Sequence, residues 1–170
     1  MDNVILIGMP SCGKSTVGVI LAKRMGYKFC DCDLLIQERE GKLLWELIEE
    51  LGNDGFLEIE NDVNKNINTN KSIISTGGSV VYCDEAMEHL KSIGKVVYIK
   101  ISYENLCRRL GDFSHRGVIM KNGSTLLDMY NERAALYEKY ADITVEVGDN
   151  DDLTKTMDML LISLTLNSNT

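Results

Sequence analysis

The chain has 170 residues, 44% hydrophobic and 26% charged, the proportions of one globular domain rather than of a disordered or collagen-like chain. Its 26 acidic and 18 basic residues give a formal net charge of −8, which argues against a polyanion, and so against nucleic acid, as the main partner. No run approaches the roughly 18 apolar residues of a membrane span.

The five cysteines are an odd number, and Cys30-x-Cys32 has no second pair with which to build a zinc site. Met1-Asp2-Asn3 leads straight into an apolar run, without the basic and long apolar regions of a secretory signal. Reduced thiols in the cytoplasm are therefore expected. No heptad pattern or unusual apolar stripe demands a partner, and the sequence says little more about quaternary structure.

In chain order, Val4–Ile7 reads as a strand and Lys14–Met25 as a helix with Val17, Ile20 and Leu21 on one face. Lys28–Cys30 is a second strand. Helices follow over Leu34–Arg39 and Leu43–Leu51, separated by Gly41, and over Phe56–Asn66. Ser72–Ser75 is a third strand, Glu85–Ile93 a helix, Lys95–Ile101 a fourth strand and Tyr103–Leu110 a helix. Leu126–Tyr140 is helical, Ile143–Val147 a fifth strand and Leu153–Leu164 a closing helix. Strands apolar on both faces and alternating with helices predict an α/β fold, a parallel sheet with right-handed crossovers. The polar stretch from Gly111 to Thr125 lacks apolar periodicity and is long enough for a functional loop.

Gly8-Met9-Pro10-Ser11-Cys12-Gly13-Lys14-Ser15 fits G-x-x-x-x-G-K-[ST], after an apolar strand and at the start of an amphipathic helix. Gly8 and Gly13 permit a loop whose N–H groups curl around phosphate oxygens at the positive end of the helix. Lys14 would reach the β- and γ-phosphates, and the Ser15 hydroxyl would take one Mg²⁺ position. An incidental glycine turn is a poor competitor for motif and context together. The motif alone leaves an ATPase, a GTPase or a small-molecule kinase open, although the Asn-Lys-x-Asp sequence usual in GTPases is absent.

Asp31-Cys32-Asp33 follows the second strand. Two carboxylates two residues apart on an extended segment share a face, so both could point into the crevice beyond the strand ends. One could hold Mg²⁺ while the other takes a proton from a substrate hydroxyl. Equally, the pair could be a solvated turn with Asp33 capping the next helix.

Together with the phosphate loop, Phe29-x-Asp31-x-Asp33 resembles the shikimate kinase family. Thr76-Gly77-Gly78 resembles the family's glycine-rich substrate segment. Arg108-Arg109, Arg116, and Arg133 followed by Tyr137 and Ala141-Asp142 resemble its lid and C-terminal substrate helix, and Phe56-x-x-x-Glu60 echoes its Phe-Arg-x-x-Glu. The resemblance runs from about Val4 to Val147. It implies a three-layer P-loop kinase fold over residues 1–170 with a five-stranded parallel sheet, a substrate region near 32–60 and a mobile lid near 111–124. It implies an ATP- and Mg²⁺-dependent kinase of a small molecule, shikimate first.

By the same resemblance, Pro10, Ser11, Cys12, Gly13, Lys14, Ser15 and Thr16 hold the nucleotide with Gly8, and Arg109 stacks on adenine. Ser15 and Asp31 organise Mg²⁺. Asp33 binds the reacting hydroxyl and acts as base, and Arg116 closes onto the phosphates. Arg133 pairs with the substrate carboxylate, and Gly77, Gly78 and the residue at Ser79 line the substrate.

Two departures fall in the substrate half. Leu57 stands where the family has the second carboxylate-binding arginine, and Ser79 stands where it has a third glycine. Losing one charge-assisted arm predicts acceptor binding weaker by about ten- to a hundredfold. A related kinase for another small polyol is therefore the alternative. A non-catalytic nucleotide binder is a third reading, opposed by the retention of Asp33 and Arg116.

Overall fold

Five short strands, β1 (Asn3–Ile7), β2 (Lys28–Asp31), β3 (Ser72–Ser75), β4 (Gly94–Lys100) and β5 (Ile143–Glu146), form one parallel sheet in the order β2-β3-β1-β4-β5. The computed structural model describes residues 3–111 and 118–166. Val4 pairs with Ile73 on one side, and Ile5 with Val96 on the other. β1 and β3 are buried at every position, whereas β5 alternates buried and exposed residues, as an edge strand should. Asn3 ties the base of the sheet together. Its amide donates to the Thr69 and Ile93 carbonyls at 3.0 and 2.9 Å, and its side-chain oxygen accepts from the Ser72 N–H at 3.0 Å.

The helices are α1 (Lys14–Met25), α2 (Cys32–Glu40), α3 (Leu44–Lys65), α4 (Asp84–Ile93), α5 (Tyr103–Leu110), α6 (Leu126–Tyr140) and α7 (Leu153–Leu166). The start of α6 is fixed by a capping box in which Thr125 and Asp128 bond each other's backbone N–H. The main core gathers both faces of the sheet with Val17 and Leu21 of α1, Leu106 of α5, Tyr137 of α6 and Leu160 of α7. A second, smaller cluster of Ile36, Leu47, Phe56 and Ile119 lies under α2 and α3.

The two helices expected over 43–51 and 56–66 are the two halves of α3, parted at Gly52, whose φ of 71° and ψ of −179° break the helical path. Two local features differ from the sequence expectations. A single 3₁₀ turn, Val80–Tyr82, follows the glycine segment, where the sequence has no periodicity to announce it. α2 begins at Cys32, two residues before the expected start. The expected lid lies partly outside the described residues, and Arg116 lies among those not described.

Candidate active site

The order of the sheet sends the chain to opposite sides of β1, and the loop after β1 opens at that switch point, beyond the carboxyl ends of the strands. A cleft of about 530 Å³ lies there. Its walls come from the 10–16 loop, Asp33, Phe56 and Glu60, the 76–79 segment, Arg109 and Arg133.

Gly13 stands at the start of α1 with φ of 102°, and no side chain caps the first turn. The helix therefore presents its N–H groups and positive end to the cleft, which suits a polyphosphate. Lys14 is buried across the same loop, its ammonium donating to the Gly8 and Met9 carbonyls at 2.8 and 2.9 Å. The loop thus holds its cation in place before any phosphate arrives. Arg109 donates from Nε to Asn105 Oδ1 at 2.7 Å and from Nη1 to the Cys12 carbonyl at 3.2 Å, so its guanidinium lies over the loop. Pro10, Ser11, Ser15 and Thr16 line the cleft, while Cys12 is buried behind it.

Asp31 and Asp33 do not share a face of one strand. Asp31 ends β2, and Asp33 stands in the first turn of α2. Asp31, not Asp33, caps that helix, with Oδ1 accepting from the Asp33 and Leu34 N–H groups at 3.0 and 3.3 Å. Its other oxygen accepts from Ser15 Oγ at 2.6 Å. A hydroxyl and a carboxylate joined beside the phosphate loop are the oxygen donors that Mg²⁺ takes. Asp33 faces the cleft, and burial pushes its carboxyl up to about 6, with the Asp31 charge adding to the rise and Lys14 opposing it.

Gly77 and Gly78 lie between two groups of side chains. A Cβ on Gly77 would come within 2.4 Å of Glu60 Oε1 and 3.0 Å of Asp33 Oδ1. One on Gly78 would meet Pro10 and, at 3.2 Å, Arg133 Nη1. Arg133 is 1% exposed, donates from Nη2 to the Ile119 carbonyl at 2.5 Å, and stacks with its Cζ 5.4 Å from the centre of the Tyr82 ring. Tyr137 donates to the Gly78 carbonyl at 2.5 Å and fastens α6 to the segment.

The two departures on the substrate side, Leu57 and Ser79, lie in different places. Leu57 does not line the cleft. It lines a neighbouring cavity of about 140 Å³ with Tyr82, Ile119, Met120 and Met129. Ser79 lines the cleft, its hydroxyl donating to Glu60 Oε2 at 2.6 Å. Glu60 itself was not among the expected site residues, although the Phe56-x-x-x-Glu60 echo touched it. It is buried in the cleft wall, and burial pushes its carboxyl up to about 7, with Asp33 adding to the rise and Ser79, Arg133 and Lys14 opposing it.

A nucleotide cradle joined to a polar acceptor cleft on this sheet defines a P-loop kinase of small molecules. The family model for shikimate kinase matches residues 10–162. The shikimate kinase of Clostridium botulinum (strain Okra / Type B1) is 36% identical over 159 residues, covering 91% of this chain and 94% of that one. The structure of shikimate kinase from Acinetobacter baumannii in complex with shikimate superposes with a TM-score of 0.85 at 26% identity, covering 99% of this chain and 94% of that one. That from Aquifex aeolicus gives 0.80 at 30% identity, covering 98% of each. The chain belongs to the shikimate kinase family.

Proposed function

We propose that the protein transfers the γ-phosphoryl group of ATP to the 3-hydroxyl of shikimate, with Mg²⁺ bound at Ser15 and Asp31, as a cytoplasmic, single-domain monomer. The observation that carries the reading is that Lys14, Asp33 and Arg133 line one cleft at the end of β1. When bound, the metal would neutralise phosphate charge. Lys14 and the N–H groups of the loop hold the phosphates and meet the charge that moves onto them in the transition state. Asp33 receives the acceptor hydroxyl, orients it and takes its proton. Arg133 holds the acceptor carboxylate, so that the reacting hydroxyl is presented rather than merely nearby. Arg109 covers the nucleotide side. Arg116 is assigned to phosphate contact through the family resemblance alone.

A second reading rests on Leu57. With that side chain in the neighbouring cavity, Arg133 is left as the cation for a carboxylate among the described residues lining the substrate side, and a polyol without a carboxylate then becomes a candidate. ADP release in a coupled assay with Mg-ATP distinguishes the two, with shikimate run beside quinate, dehydroshikimate and simple polyols. Saturable turnover on shikimate is the expected result. Turnover confined to another acceptor would transfer the assignment to it, and none on any acceptor, with ATP still bound, would overturn the kinase reading.

A further inference from the structure

The two departures from the family pattern, Leu57 and Ser79, meet at Glu60. Leu57 stands three residues before Glu60 on α3, where helical spacing would let a cation reach the carboxylate. Leucine supplies none, and its side chain faces the apolar neighbouring cavity. Ser79 supplies a hydroxyl to the same carboxylate, at 2.6 Å and out of water. The other oxygen, Oε1, is buried and has no hydrogen-bond partner among the described residues. It lies against Gly77, beside Asp33 Oδ1.

We propose that Ser79 is a positioning residue for the acceptor, tying down the Glu60 carboxyl in place of the cation that position 57 lacks, so that Glu60 packs against Gly77 and fixes the wall on which the acceptor rests. The two departures are then one compensated change. Glycine at 79 would leave Glu60 with neither partner, and arginine at 57 would make the hydroxyl dispensable. The raised titration of Glu60 agrees with a carboxyl held by a hydroxyl and distant charges rather than by a close cation. Ser79 has φ of −91° and ψ of −7°, which alanine adopts without strain, so Ser79→Ala removes the hydroxyl alone.

The test is a four-protein cycle of wild type, Ser79→Ala, Leu57→Arg and the double variant. Its kinetic arm rests on shikimate being the acceptor, as proposed above. Ser79→Ala is expected to raise the acceptor KM about tenfold, as loss of a bond to a charged group does, with the KM for ATP unchanged. In the Leu57→Arg background the same substitution is expected to change the acceptor KM by less than about twofold. An equal effect in both backgrounds, no effect in the wild type, or an equal rise in both KM values would overturn the proposal. The second arm follows Glu60 by carbon-13 NMR and needs no turnover. Ser79→Ala should raise its titration midpoint by about one pH unit in the wild type, and clearly less beside Arg at position 57. A midpoint indifferent to Ser79 would refute the pairing even if shikimate is turned over. If shikimate is not turned over and the midpoint does move as expected, the substrate assignment fails and the pairing stands.

Discussion

Replacing Glu60 by glutamine removes a buried carboxylate while nearly preserving its shape, and the response of stability to pH can be worked out from the site. In the unfolded chain a glutamate titrates near 4.5; in the fold, burial raises it to about 7. A raised carboxylate means that the folded state binds the extra proton between those values. The wild type is therefore penalised as pH rises through the window, and the penalty is absent below about pH 4.5. At about 1.4 kcal/mol per pH unit the penalty reaches about 3 kcal/mol above pH 7. About 2 kcal/mol of it falls between pH 5.5 and 8.5. Urea denaturation of wild type and Glu60→Gln across that range should show the variant gaining this amount on the wild type as pH rises. The amide nitrogen placed in a buried site adds an offset of about 1–3 kcal/mol that does not vary with pH, so the slope is the quantity to read. Parallel curves for the two proteins would refute the reasoning.

Lys14→Ala should cut kcat/KM for ATP by at least about a hundredfold, with a native circular dichroism spectrum. Asp33→Asn should lower turnover comparably, and normal activity in the folded variant would remove Asp33 from its role. Because burial holds Asp33 near 6, the acceptor-accepting form prevails above that pH; kcat/KM for the acceptor should fall about tenfold per pH unit below 6 and level off above it. Gly77→Ala would place a methyl group 2.4 Å from Glu60 Oε1, so its acceptor KM should rise strongly while nucleotide affinity, measured by calorimetry, is retained.

Most of the sheet and the nucleotide cradle are legible in the sequence because their determinants are local. Val4–Ile7 is apolar throughout, as a central parallel strand must be, and the glycines and lysine of the loop carry their geometry in their own chemistry. The acidic pair is not legible locally, since an alternating face presumes extended backbone and Asp31 instead stops the strand by capping α2. Gly52 separates two apolar patterns that read as two helices, and its non-helical backbone parts α3 there. Glu60 and Ser79 lie 19 positions apart, and no spacing rule joins them. Leu57 reads as a vacancy in a carboxylate clamp, whereas only the packing shows which neighbour inherits the consequence.

The bend at Gly52 gives the acceptor side a hydrophobic nucleus of its own. Ile36, Leu47, Phe56 and Ile119 close on one another, apart from the larger core that holds the phosphate loop. α2 is also tied to the larger core by Cys32, whereas Leu47 is the one buried residue of α3 before Gly52, so amide exchange in that half of α3 should run ahead of exchange in β1 and α1. The wall that receives the acceptor is thus expected to breathe more readily than the nucleotide cradle behind it.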